Sequence, residues 1–483
     1  MGPVLLQPKI AQCFSRSSFS GKETLYRWVF RCLELAIRKG ELEAGFKLPP
    51  TRLLAEALGI ARNTVKTAYE MLLSEGYIES RVGDGSYVAE LPQDLINPGH
   101  KSKKARADLP LSEYAQQYIS LPPLNSDIRK ILQPGIPALR DFPLGQWKRC
   151  LSFASSFKAL ESFPPAGDLK LREQIVDYLL KFRGIEADPE QVLITSGSQQ
   201  AAFLTAQLLL NKGEKVIVET PGFPGTSGVF SSLGCQIDAL NMEEAVSIDS
   251  DARLINLTPS RNFPLGHTLS LSQRLKVVQW AEHNNSWVLE DDYDSEFAEG
   301  YPVSALLSIC ESDRVIYTGT FSRSMFPALR LGYMVLPPKL VTVFTRARRY
   351  MDGGLSQVVQ VAMAEFMGQG FYSRHLKKMR QHYIKQADHM LKQIEKTSLS
   401  ELALISAPGG MHLVLKLPDC IDDRAMVGEL DKRGFGIRAL SGYCQQGQSM
   451  NGLVIGFCVD KEEVIKPGIE EVASLYKALR DKA

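Results

Sequence analysis

This chain has few cysteines for its length, no long apolar run, no leader-like pattern in its first twenty residues and almost no net charge, and each of these narrows what is expected of it. Its eight cysteines, at 13, 32, 150, 235, 310, 420, 444 and 458 of 483 residues, are scattered and form no C-x-x-C pair. That argues against a disulfide framework or a zinc site and fits reduced thiols in a cytosol. No stretch approaches the roughly 18 uninterrupted apolar residues of a membrane span, so no membrane partner is expected. Residues 1–20 have neither a basic start followed by an apolar run nor a small-residue cleavage site, so export is not expected and they read as a flexible or loosely docked tail. The formal charge is only +2, so bulk attraction to nucleic acid explains nothing and any such partner must be recognised by a local motif. Histidine is also sparse. His375, His382 and His389 recur every seventh residue, about 10 Å apart along a helix axis. That is too far to share one metal, so they read as a solvated or interface stripe, and no metal site is expected.

What is present starts with length, which predicts two or three domains. Leu25, Val29, Leu33 and Ile37 recur at helical spacing, with Gly40 as a stop. Next comes LPPTRLLAEALGIARNTVKTAYEMLLSEGYIESRVGDGSYVA, from Leu48 to Ala89. It divides into a short helix capped near Thr51 and ending at Gly59, a tight turn, and a second helix from about Arg62 to Ser74. Val65, Ala68, Tyr69, Leu72 and Leu73 are expected to share the inner stripe, leaving Arg62, Asn63, Lys66 and Thr67 facing out. Tyr77–Arg81 and Ser86–Ala89 form a two-stranded wing around Gly83, Asp84 and Gly85. Donors at the start of the second helix suit a major groove. The alternative is a helix-turn-helix used only for packing. Bases and acids number ten each across residues 22–90, so charge does not decide between the two.

After Pro92 the chain turns polar, and residues 92–113 read as a linker whose KSKKAR cluster either touches DNA backbone or is merely solvated. From about Tyr114 an α/β pattern takes over. Apolar strand candidates at Val192–Thr195, Lys215–Glu219, Leu254–Leu257, Trp287–Glu290, Val315–Thr318 and Gly332–Leu336 alternate with helical stretches, which predicts a mostly parallel sheet with ligand groups at its strand ends. Several of those ends are polar. SGSQQAAFL offers a helix start with the Ser196 and Ser198 hydroxyls, suited to a phosphate or simply to capping. DDYDSEF places Asp291 to face a protonated ring nitrogen and Tyr293 a phenolic oxygen. In YTGTFSRSMFPALRLGY, Tyr317–Tyr333, Arg330 suits a forked pair with a phosphate and Thr320 adds a hydroxyl. Phe223, in ETPGFPG, either lies flat on a ring or only packs.

These motifs carry two resemblances. Residues 48–89 resemble the GntR-type winged helix throughout. That pattern implies DNA contacts from Arg52, Arg62, Asn63, Thr64 and Lys66, with Gly83 and Gly85 at the wing tip. ITSGSQQA, VETPGFPG, LEDDYDSEF, GTFSRSMFPALRLGY, RHLKKMR and PGGMHL fall in the order seen in fold type I aminotransferases that use pyridoxal phosphate. Over residues 25–475 the chain resembles the MocR/GabR-type regulators, in which such a body is fused behind a GntR-type head. The resemblance implies an α/β protein: a winged helix at 21–91, then an aminotransferase-like domain at 114–483. That domain would have a large subdomain at about 145–340 and a small one at about 341–483 plus an N-terminal arm. It further implies phosphate contacts from Ser196, Gly197, Ser198, Gln199 and Arg330, and ring contacts from Asp291 and Tyr293. Phe223, Thr320 and Arg323 fall on the same rim. Arg438, in GFGIRAL, matches the arginine that grips an effector carboxylate. His412 reads as structural, near the cleft.

The departures cluster on that rim. Arg323 stands where the family carries the lysine that bonds the cofactor, and Phe223 where it usually has tyrosine. Arg261–Gly266 (RNFPLG) replaces HQ-F/Y-PTG, and Ser162–Gly167 (SFPPAG) replaces YGDPAG. A guanidinium stays protonated and is no amine nucleophile, so no catalytic residue is assigned. Two accounts remain. Either the site holds pyridoxal phosphate, pyridoxamine phosphate or another small anion noncovalently, or it has lost its ligand and Arg323 pairs with Asp291. The expected function is a cytoplasmic, homodimeric transcription regulator that binds double-stranded DNA and senses a small anion. The alternatives are an aminotransferase with an accessory DNA-binding head, and a ligand-free structural dimer.

Overall fold

The computed structural model describes residues 7–15, 19, 21, 23–91, 111–120, 130–155, 161, 164–241, 248, 250–298, 300, 303–445, 450–458 and 461–482. The KSKKAR cluster, nearly all of the expected linker, and Ser162 and Phe163 lie outside the described residues. The chain divides into two compact units, Met1–Pro110 and Leu111–Ala483.

In the first unit, helices α1 (Pro8–Ser15), α2 (Leu25–Arg38), α3 (Thr51–Leu58) and α4 (Arg62–Ser74) precede strands β1 (Ile78–Arg81) and β2 (Gly85–Val88). The helices form because their apolar residues recur on one face. Val29, Leu33 and Ile37 of α2, Leu54 of α3, and Val65 and Leu72 of α4 are all fully buried in one core. Each such side chain contributes about 1.5–3 kcal/mol by leaving water. The turn between α3 and α4 is set by Gly59, whose left-handed conformation (φ +65°) ends α3. Two expectations need correction. Leu73 is 45% exposed, because it lies about 100° around the helix from Leu72, off the stripe that Val65, Ala68, Tyr69 and Leu72 form. The expected tail contains α1, and its Ile10, Cys13 and Phe14 are buried in the same core. Their i, i+3, i+4 spacing makes an apolar face that packs on α2, with the Phe14 and Trp28 rings 5.3 Å apart.

The second unit is built on a seven-stranded sheet of order β3-β9-β8-β7-β6-β4-β5. The strands are β3 (Val192–Thr195), β4 (Lys215–Glu219), β5 (Gln236–Leu240), β6 (Leu254–Leu257), β7 (Trp287–Asp292), β8 (Val315–Thr320) and β9 (Gly332–Val335). All neighbours pair in parallel except β9, which runs antiparallel to both β8 and β3. Strands β3, β6 and β9 are buried at every residue, as a sheet covered on both faces requires. The carboxyl ends of β3, β7 and β8 open on one edge, where loops carry the polar residues.

A smaller antiparallel sheet has the order β10-β12-β11, with β10 (His412–Lys416), β11 (Arg438–Ala439) and β12 (Gly452–Gly456). The segment before the large sheet is stitched to it: Leu132 accepts from Gly456 N at 3.0 Å, and Ile131 accepts from Gly436 N at 2.7 Å. The three histidines of the long helix Phe371–Ile394 do not form a solvated stripe. His375 is buried, its Nε2 lies 3.0 Å from the Ser324 carbonyl, and burial pushes its pKa down to about 4. A neutral ring therefore donates to that carbonyl. His382 and His389 sit near the surface beside Asp141 and Glu462, at 4.0 and 3.9 Å.

Candidate functional site

Two regions gather the residues that sequence reasoning singled out. In the head, Arg52, Arg62, Asn63 and Lys66 are exposed and Thr64 is half-buried. No side chain caps the start of α4, and the Arg62 and Asn63 side chains are exposed there. Arg62 Nε reaches Thr51 Oγ1 at only 3.4 Å, and Lys66 lies 3.4 Å from Glu70 with both side chains solvated. Exposed contacts of that length hold little energy, which leaves both cations available to a polyanion. At the wing tip Gly83 and Gly85 have φ of +78° and +131°, conformations that suit glycine. Asp84 between them was not anticipated as a structural residue: it binds Lys47 at 2.6 Å. The Arg81 guanidinium lies 4.3 Å over the Tyr87 ring.

In the second unit a cavity of about 660 Å³ opens at the carboxyl ends of β3, β7 and β8. Gly197, Ser198, Gln199, Phe223, Asp291, Tyr293, Thr320, Arg323 and Arg330 all line it. Ser196 does not; its N–H donates to Gln200 Oε1 at 2.8 Å. Arg438 does not either. It sits on β11, where its charge opposes the upward pKa shift of the half-buried Tyr443 phenol, and Tyr443 in turn packs on Phe263 at 5.1 Å.

One end of the cavity is a cradle of donors. Helix α5 (Ser198–Leu209) follows β3 directly, and its cap residue, Gly197, has φ +124° and no side chain to satisfy the first N–H groups. A Cβ on Gly197 would lie 3.8 Å from Arg330 Nη2 and 4.0 Å from Thr320 Oγ1, so these two groups converge over the helix start. Among the described residues the Arg330 guanidinium has no hydrogen-bonding or ionic partner, and its backbone takes the left-handed conformation at φ +48°. For an arginine that conformation is strained, and strain of this kind marks binding loops. Helix N–H groups, a hydroxyl and an unpaired guanidinium together suit a phosphate.

The middle of the cavity is flat and aromatic with one acid. Phe223 and Tyr293 flank Phe263 edge-on, at 5.9 and 5.7 Å between ring centres. The Tyr293 hydroxyl is buried and makes no hydrogen bond. Burial and the nearby Asp294 charge hold that phenol well above its usual pKa. Asp291 is buried at the end of β7 with a long 3.4 Å contact from Thr318 Oγ1. Burial, and then the Asp292 charge, push it up to about 7, while Thr318 and Arg323 act the other way.

Arg323 donates Nη1 to the carbonyl oxygen of Gly135. It forms no ion pair with Asp291. The reading in which those two side chains pair is therefore replaced by a contact between Arg323 and the arm. Gln133, Pro134, Gly135 and Ile136 of that arm line the cavity, and the linear sequence carried no sign of them. Arg261 is buried and bonds the Pro408 and Gly409 carbonyls at 2.9 and 2.7 Å, with Nε 3.7 Å from Asp294. His412 is structural, as expected: its Nε2 lies 2.7 Å from the Pro264 carbonyl and burial lowers its pKa to about 3. No helix among the described residues is long and apolar enough to cross a membrane.

Comparison with known proteins places both regions. Residues 25–88 match the family of bacterial regulatory proteins, gntR family, and residues 138–436 match aminotransferase class I and II. The chain is 32% identical to the probable rhizopine catabolism regulatory protein MocR of Rhizobium meliloti over 94% of both chains. It is 29% identical to the pyridoxine biosynthesis transcriptional regulator PdxR of Corynebacterium glutamicum, over 90% of this chain and 92% of that one. Among solved structures, a kynurenine aminotransferase of Pyrococcus horikoshii superposes with a TM-score of 0.66 at 26% identity, covering 78% of this chain and 96% of that one. The chain belongs to the MocR-type regulators, DNA-binding transcription factors that carry a gntR-family helix-turn-helix on an aminotransferase class I and II body.

Proposed function

We propose that this regulator reads DNA through α4 and the wing, and that its body senses a phosphorylated, ring-bearing anion held without a covalent bond. The observation that carries the reading is the convergence of Arg330, Thr320 and the open start of α5 over Gly197, in the same cavity as the partnerless Tyr293 hydroxyl and buried Asp291.

These residues fit a pyridoxal-type phosphate at its phosphate, ring and phenolic oxygen. Such a group, once anchored to an amine, supplies an electron sink for amino-group chemistry. Arg323 offers no such amine. It occupies the position where the family's GTFSK motif has lysine, and a guanidinium is no amine nucleophile, staying protonated at any working pH. It can neither bond an aldehyde nor shuttle the proton that transamination needs, so the body is a sensor and not an enzyme.

The remaining roles follow from that division. Arg52, Arg62, Asn63, Thr64 and Lys66 contact DNA, with Gly83 and Gly85 bringing the wing backbone to the adjacent groove. The protein works in the cytosol as a homodimer, so that two heads read paired half-sites. Arg438, beside Tyr443, supplies a cation for an effector carboxylate. A ligand can change DNA binding only if it binds two arrangements of the dimer unequally.

The test is a titration of the whole chain with pyridoxamine phosphate and pyridoxal phosphate, followed by melting temperature, and then borohydride reduction with the aldehyde present. Saturable stabilisation without a covalent adduct is expected. A stoichiometric pyridoxyl–protein adduct would defeat the proposal, and so would the absence of any shift with either compound.

A further inference from the structure

We infer that the ligand of this cavity carries two anionic ends on one flat body: a phosphate on the Arg330 side and a carboxylate facing Arg323. Its simplest form is a pyridine 5′-phosphate whose aldehyde carbon is instead a carboxylate. The inference rests on the noncovalent reading above and narrows it to a chemical class.

The argument is one of charge placement. Among the described residues the cavity lining holds two guanidiniums, Arg323 and Arg330, and a single carboxylate, Asp291. On the reading above Asp291 serves the ring nitrogen, and a protonated pyridine beside an ionised carboxylate is a neutral pair. A phosphate, with a charge of about −1.5 to −2, is enough to balance both guanidiniums in sum, but its cradle lies at Gly197 with Arg330 and Thr320. Arg323 is held instead at Gly135, where the phosphate's charge is not placed.

The only contact that Arg323 makes among the described residues is with a dipole and not an anion. One N–H goes to the Gly135 carbonyl, while a guanidinium has five to give. Its other nitrogens are not among the buried atoms that lack a partner, and the half-buried residue lines the cavity, so they are open to a ligand. On the reading above, which sets GTFSR beside the GTFSK motif, Arg323 stands where the residue addressed to the aldehyde carbon stands, so the substituent at that carbon is what it meets. An aldehyde gives it a weak neutral acceptor. The ammonium of pyridoxamine phosphate gives it a like charge. A carboxylate gives it a planar acceptor for a forked, charge-assisted pair. Electrostatics therefore order the three substituents as carboxylate, then aldehyde, then aminomethyl.

The experiment is isothermal titration of the full-length protein with pyridoxic acid 5′-phosphate, pyridoxamine phosphate and inorganic phosphate, on the native chain and on Arg323→Gln and Arg323→Lys. The acid is expected to bind the native chain at least tenfold more tightly than pyridoxamine phosphate. Arg323→Gln should bring the two within about threefold, and Arg323→Lys, which keeps the charge, should retain the preference. If pyridoxamine phosphate binds as well as the acid or better, the carboxylate assignment is wrong and the noncovalent sensor stands. If neither exceeds inorganic phosphate, both readings fall. Should Arg323→Gln not fold, the ranking on the native chain and on Arg323→Lys still decides.

Discussion

The Arg323 guanidinium donates to the carbonyl oxygen of Gly135, a residue 188 positions earlier in the chain. Gly135 has φ +78°, and a methyl group on its Cα would overlap that guanidinium. The arm and the loop after β8 are thus matched through one contact at the mouth of the cavity. Arg261 does the same on the other side, by holding the carbonyls of Pro408 and Gly409. Arg323 and Arg261 therefore serve as clamps between the large sheet's loops and segments packed on the small sheet.

Gly135→Ala tests the first clamp. The backbone term alone should cost about 1–2 kcal/mol, since a residue with a Cβ is disfavoured in the left-handed region. The methyl must also displace Arg323. Combined with Arg323→Gln, the loss should be smaller than the sum of the two single losses, because the overlap disappears. Denaturant melts of the four proteins measure this. Strict additivity would show that the two residues are not coupled.

The second clamp should be costlier to break. Arg261 and Asp294 are 3% and 1% exposed, and among the described residues Arg261 is the only cation at ion-pair distance from that carboxylate. Arg261→Ala leaves a buried, partnerless acid and two carbonyls without their donor, which costs about 3–5 kcal/mol. Adding Asp294→Asn should recover part of it. Thermal unfolding of the single and double variants reads this directly, and a double variant no more stable than Arg261→Ala would mean that the acid is not the source of the loss.

Asp291 gives the structure a pH signature. Burial pushes it up to about 7 in the folded chain, against about 3.9 when unfolded. Between those values the folded state holds more protons than the unfolded one, so this site's contribution is present at low pH and is lost as pH rises through the window, levelling off above about 7. Asp291→Asn should therefore gain on the native chain as pH rises from 5 to 8. The difference in melting temperature across that range checks it. A difference that is flat, or that runs the other way, would show that Asp291 is not held protonated.

Much of this organisation was legible in the residues. The strands Val192–Thr195, Lys215–Glu219 and Leu254–Leu257 were placed at their observed bounds, because short apolar runs between turn residues have few other solutions in an α/β chain. Edge strand β5 was missed, since Gln236 and Asp238 break its apolar pattern. Nine of the twenty residues that line the cavity were singled out, most of them at or just after polar strand ends. The Gly135–Arg323 and Arg261–Gly409 contacts span 188 and 148 residues, and no local pattern encodes a carbonyl that far away. The His375 environment was misjudged for a related reason. Its seven-residue spacing from His382 and His389 fixes a shared helix face, but not whether another element covers one end of it.

The head offers the sharpest separation of roles, because two of its solvated cations, Lys66 and Arg62, should act on DNA differently. Lys66 is a flexible point charge held only by Glu70 at 3.4 Å, and such a charge serves phosphates. Lys66→Ala should weaken specific and non-specific binding alike and lower the slope of log affinity against log salt by about one. Arg62 starts α4, where a groove-inserted helix meets base edges. Arg62→Ala should cost about 1–3 kcal/mol on the cognate site, with far less change on random duplex. Mobility-shift titrations at several salt concentrations, with both duplexes and the full chain, separate the two effects. Equal losses on cognate and random DNA for Arg62→Ala would mean that α4 sits on the backbone, and that base recognition must be sought elsewhere, first at Asn63 and then at the wing.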